Sequence, residues 1–121
     1  MRRSEPAKQS EPKEKAAKIL SDVPPNKGFY FHLGVNDYTG QHAKNLAQFC
    51  QLIETIDPRA VEFHLARRDF ENWVRSLGDN ALSLQIAKLR KKKGLSGEQL
   101  RSETHRIVEK RLHTLEKEAA Q

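Results

Sequence analysis

From Asn45 onward, apolar residues recur at intervals of three and four, and each run is framed by residues able to start or stop a helix. Leu46, Phe49, Cys50, Ile53 and Ile56 share one face of a helix expected over about 46–56, opened by Asn45 and Gln48 in a capping-box pattern. Asp57 is placed to cap a second helix over about 58–67, with Pro58 at its first position and Ile56 and Val61 as a hydrophobic staple. After a break near Arg68, Asp69 is expected to cap a third, in which Phe70, Trp73, Val74 and Leu77 fall on one face before Gly78 stops it. A fourth, over about 80–93, follows Asp79, turns Leu82, Ile86 and Leu89 inward and closes at Gly94. Ser96 and Gln99 form a second capping box, stapled by Leu95 and Leu100, for a last and longest helix over about 97–118.

The pattern differs upstream. "GFYFHLG", residues 28–34, sets three aromatics in a row between glycines, which suits a short extended segment and is too short for a helix. "PKEKAAKILSD" predicts a short helix with Pro12 near its first turn, halted by "VPPNKG". "MRRSEPAKQSEPKEK" holds Ser-Glu-Pro twice and almost nothing apolar, so residues 1 to about 11 are expected to form a disordered tail. The architecture expected is all-α: a compact orthogonal bundle of five or six short helices over residues 28–118. A basic, disordered to partly helical tail at 1–27 precedes it, and there is room for a short extended segment at 28–34.

A chain of 121 residues with 36% apolar and 31% charged side chains has room for one domain with a small core. The single cysteine, Cys50, cannot form an internal bridge, and a reducing, cytoplasmic location is the simplest expectation. No export signal is expected, and no run approaches the ~20 apolar residues that cross a bilayer. The net charge of +6 is uneven: residues 1–27 carry +3, residues 28–79 carry −2 and residues 80–121 carry +5.

The basic excess at the ends directs attention to polyanions. On the last helix Arg106, Lys110, His113 and Lys117 recur as a stripe, and just before it Arg90, Lys91, Lys92 and Lys93 stand in one turn. Such groups suit a phosphate backbone, although lysines at a helix C-terminus also favour the dipole without any ligand. The expected function is therefore non-enzymatic: binding of RNA, DNA or a ribonucleoprotein such as the ribosome through backbone phosphates. No zinc-finger, ribonucleoprotein or glycine-rich phosphate motif occurs, so reading of base sequence is not supported.

"EFHLARRDFENWVRSLGD", residues 62–79, is the other concentration of reactive side chains. The five histidines lack the spacing of a metal site, and neither a metal nor a cofactor is expected. His64 is expected to be semi-buried and bonded to a carbonyl or carboxylate, and Cys50 to be an inert core thiol. Without a nucleophile elbow or phosphate loop, an enzyme would need His64, Asp69 and a hydroxyl such as Tyr38 or Thr39 to converge. Arg111 falls on the apolar face of the last helix and needs a carboxylate, with Asp69 and Glu62 as candidates. The alternative function is a protein-interaction or small-ligand module in which "GFYFHLG" and the neighbourhood of Tyr38, His64, Asp69 and Trp73 form the recognition surface.

Tyr38-Thr39-Gly40, Asn45, Leu46, Phe49, Phe63-His64, Asp69-Phe70, Trp73 and Leu100-Arg101 together carry a resemblance. Over about residues 29–115 the chain resembles an uncharacterised family of small archaeal and bacterial domains. The resemblance implies a helical domain and places Tyr38, His64, Asp69 and Trp73 in one neighbourhood, with Arg101 near the last helix. It implies no activity. The chain departs from longer forms of the pattern in its short spacing between His64 and Asp69.

Overall fold

The computed structural model describes residues 4–121, with side chains described from Pro12 on. The element order is α1 (Ser4–Leu20), a 3-10 turn (Pro25–Lys27), β1 (Phe29–His32), β2 (Tyr38–Ala43), α2 (Leu46–Thr55), α3 (Pro58–Ala66), α4 (Asp69–Ser76), α5 (Asn80–Arg90) and α6 (Gly97–Ala120). The disorder expected at residues 1–11 falls on Met1 to Arg3 and on side chains that lie outside the described residues. Residues 12–20 belong to the body, because Ala16 and Ile19 are buried and α1 lies against α6.

The chain is mostly helical but not purely all-α, since β1 and β2 form a two-stranded antiparallel sheet. The extended segment at 28–34 is there; its partner strand, Tyr38–Ala43, escapes the sequence pattern because Ala43 is its one buried residue. A strand with so little apolar alternation is held by its neighbours, and this hairpin rests on α2 and α3. Phe29 and Phe31 point into the core while Tyr30 and His32 face outward. The register pairs Tyr30 with His42 and His32 with Tyr38, with an irregularity between them. Tyr38-Thr39-Gly40 builds that irregularity: Gly40 takes φ +86°, and the Thr39 hydroxyl donates to the Phe31 carbonyl where the ladder is interrupted.

Most predicted helix signals hold. Asp57 accepts from the Arg59 N–H, Ser96 and Gln99 complete a reciprocal capping box, and Gly78 and Gly94 adopt positive φ. Asn45 accepts from Gln48, but the Gln48 side chain reaches the N–H of Lys44 instead of the cap itself. Asp69 is not the cap of α4. That position is Arg68, in the left-handed region at φ 68°, and Asp69 is the first residue of the helix, turning one carboxylate oxygen to His64 and Arg67. α5, expected over about 80–93, ends at Arg90, so Lys91, Lys92 and Lys93 lie in the connection to α6.

α6 packs against α1, α2, α3 and α5 and is the spine of the domain. Val108, Leu112 and Leu115 are buried along it, and Leu100 and Ile107 are partly so. Arg111 does find a carboxylate, but neither Asp69 nor Glu62: its Nε donates to Asp79 at 2.8 Å. Asp79 is buried at the start of α5, where its other oxygen caps the Leu82 N–H, so one carboxylate serves both helices. Among the described residues no helix is long and apolar enough to cross a membrane.

Candidate functional site

Two surfaces carry the chemistry. The first is a cleft of about 460 Å³ between β1, the hairpin turn and the α3–α4 junction. Its walls are aromatic, from Phe29, Phe63 and Trp73, and its polar lining includes His32, His64, Arg67, Asp69 and Asn72.

The tight α3–α4 turn brings His64 and Asp69 together. The His64 Nδ1 lies 2.8 Å from Asp69, while its Nε2 accepts the backbone N–H of His32, also at 2.8 Å. An N–H can only donate, so His64 is the neutral tautomer with its proton on Nδ1, given to the carboxylate. Both nitrogens are thus engaged in holding β1 to the helices. With no free lone pair, His64 is placed as a brace and not as a general base. Burial among Phe29, Phe31 and Phe70 pushes its pKa below the ordinary 6.5, opposed by the Asp69 carboxylate.

A pH dependence follows. The unfolded chain takes up a proton near pH 6.5 that the folded imidazole resists. His64 therefore contributes stability that is fully present above that pH and is lost as the pH falls from it toward the lower folded value. Urea unfolding between pH 5 and 8 is expected to show this decline, and His64→Phe is expected to flatten it; an unchanged profile in the variant would assign the decline to other groups.

His32 is fixed in the same tautomer, donating from Nδ1 to the Tyr30 carbonyl, and its Nε2 lone pair has no hydrogen-bond partner among the described residues. The Trp73 indole N–H donates to the Lys27 carbonyl, so its ring is oriented by the 3-10 turn. Arg67 is about half exposed, pairs with Asp69 and stands 5.0 Å from the Phe63 ring centroid.

Of the residues the sequence groups together, the structure brings His64, Asp69 and Trp73 to this cleft. Tyr38 is on the outer face of the hairpin, half-exposed, with its hydroxyl 3.3 Å from His42 Nδ1. Arg101 is on α6, where it donates to the carbonyls of Ile53 and Glu54 and pairs with Glu98, capping the end of α2. Arg111 is held by Asp79. The last two tie helices together and take no part in the cleft. Cys50 is a buried thiol whose pKa rises to about 11, chiefly through burial, so its thiolate is scarce at neutral pH.

The second surface is basic. A groove between α5 and α6 is lined by Lys88, Lys92, Arg106 and Lys110 with Gln85, Leu89 and Ile107. Two clusters that are distant in sequence become one face here. Lys91, Lys93, His113 and Lys117 are exposed as well. Arg90 is not available to this face: its guanidinium is mostly buried against Glu71, itself nearly inaccessible. Arg106 pairs with Glu103 but remains mostly exposed.

Sequence reasoning misses Lys88, although it precedes Lys92 by one helical turn. It also misses Phe63 and Arg67 as cleft residues, although their i, i+4 spacing is that of a ring and a cation on one face. His32 enters the sequence reading only as part of the "GFYFHLG" segment of the alternative recognition surface, and the hairpin delivers it to the cleft.

Among the described residues, no three His, Cys, Asp or Glu side chains converge as metal ligands. No curated protein and no solved structure matches the chain. Residues 27–121, which include both surfaces, match a family of unknown function (DUF5752), and the chain belongs to that family.

Proposed function

We propose that this domain is a non-enzymatic binding module for the phosphate backbone of nucleic acid, using the basic face of α5, α6 and the segment between them. The observation that carries the reading is the groove where Lys88 and Lys92 stand opposite Arg106 and Lys110. Lysines present compact charges and arginine a planar fork, and both neutralise phosphates with release of counterions. Lys91 and Lys93 extend the face at one end, and His113 and Lys117 continue it along α6. The partner class is RNA, DNA or a ribonucleoprotein, engaged through shape and charge without reading of bases along this groove.

The test is binding of a labelled RNA and a labelled DNA duplex measured over a range of salt concentrations. The wild-type chain is expected to bind with steep salt dependence. Lys88→Ala, Lys92→Ala and Lys110→Ala together are expected to weaken binding across all sequences. They should also make log K against log salt shallower by roughly two to three units, about 0.7–0.9 for each phosphate no longer neutralised. Unchanged affinity and slope in the triple variant would refute the assignment, and the two labelled partners separate RNA from DNA.

A further inference from the structure

We infer that the cleft between β1 and the α3–α4 junction is a pocket for a nucleobase. Its shape and its edge groups point the same way. Phe63 offers aromatic surface to a flat ring, the largely buried Phe29 and Trp73 close the cleft behind it, and Arg67 already lies against Phe63 in an arrangement that a further planar group can extend. A purely apolar ring would leave the polar lining unpaired, whereas a base edge carries donors and acceptors side by side.

The cleft supplies both complements. Asp69 directs one oxygen to His64 and Arg67, while its other oxygen has no hydrogen-bond partner among the described residues and can accept an exocyclic amine. The Nε2 of His32 is a second acceptor. Arg67 offers donors, as does the side-chain amide of Asn72, whose oxygen is occupied by Arg75. Val35, 72% exposed in the hairpin turn, forms an apolar lip over the opening. The braced His64 matters here because it holds strand and helix junction at a fixed separation, so the cleft is preformed.

The base can come from a bound strand or from a free nucleotide. The first source rests on the backbone-binding reading and the second does not. Trp73 is the only tryptophan and lines the cleft, so its fluorescence reports occupancy directly. The experiment titrates the full chain with the four nucleoside monophosphates, with single-stranded RNA and DNA decamers, and with inorganic phosphate as the control lacking a base.

A saturable change in Trp73 emission with bases, absent with phosphate, is the expected result. Phe63→Ala, which lies outside the buried core, is expected to weaken it roughly tenfold or more. Val35→Asp, at an exposed position, is expected to do the same by blocking the lip, and circular dichroism shows whether each variant is folded. A response to monophosphates assigns a free-nucleotide pocket. A response to decamers alone, lost in the triple lysine variant, assigns a base from a bound strand.

No response to either, or a response that both folded variants leave intact, overturns the inference. Salt-steep strand binding without any Trp73 change would retain the proposed function and remove the pocket. A monophosphate response in a chain whose strand binding ignores the lysines would do the reverse.

Discussion

Replacing Asp79 with alanine is expected to lower folding stability by about 3–5 kcal/mol, the cost of breaking a buried ion pair from one side. Asp79 is 1% exposed and answers two demands at once, the guanidinium of Arg111 and the free N–H of Leu82 at the start of α5. Its removal leaves Arg111, mostly buried on the inner side of α6, without a counter-charge, and it also removes a helix cap. A small domain whose total stability is roughly 5–15 kcal/mol has little reserve against such a loss. Asp79→Asn combined with Arg111→Met keeps the cap and the packing volume while removing both charges, and is expected to recover most of the stability. Urea unfolding of the three proteins decides it: a loss below about 1 kcal/mol in Asp79→Ala would place this pair with ordinary surface ion pairs.

The second large effect is expected at His64. Substitution by alanine removes a ring packed within 4.8 Å of Phe29 and 5.7 Å of Phe70, measured between centroids, and opens a void among aromatics that cannot easily collapse. It also leaves the His32 N–H without its acceptor and Asp69 without its buried donor. Together these are expected to cost about 2–4 kcal/mol. His64→Phe restores volume but not the acceptor, so it is expected to fall between wild type and alanine. Hydrogen exchange at His32 adds a local reading: both variants are expected to lose protection there well before the helices do. If His32 exchange is unchanged, the imidazole does not fasten the hairpin.

The candidate surfaces are only partly legible in the sequence. Lys92, Arg106 and Lys110 stand out there as basic residues on exposed faces, but whether α5 and α6 set them across one groove depends on how the two helices cross. Arg90 shows the limit of charge counting. In sequence it is one of four consecutive cations, yet one helical position decides that it meets Glu71 in the interior while its neighbours meet solvent. Of Tyr38, His64, Asp69 and Trp73, expected to share one neighbourhood, three line the cleft. The fourth does not: Tyr38 stands beside the cleft, its ring centroid 5.3 Å from that of His32, but it is carried by β2, whereas β1 is the strand that packs against α3.

The helices and most of their ends are written locally in the chain. Apolar periodicity, Pro58, the Ser96–Gln99 capping box and the glycines at 78 and 94 act through bonds within a few residues, so they work the same way in almost any surroundings. The need of Arg111 for a carboxylate is equally legible, because an unpaired guanidinium on an apolar face is costly in any fold. Tertiary packing is what makes that carboxylate Asp79, gives β1 its partner strand, and commits both nitrogens of His64 to Asp69 and the backbone of His32. Those outcomes join residues 32 positions apart in sequence for Arg111 with Asp79 and for His64 with His32, and bring to β1 a strand with too little apolar alternation to declare itself. Local chemistry states what each such group requires, and the packing of the chain selects which of several eligible partners supplies it.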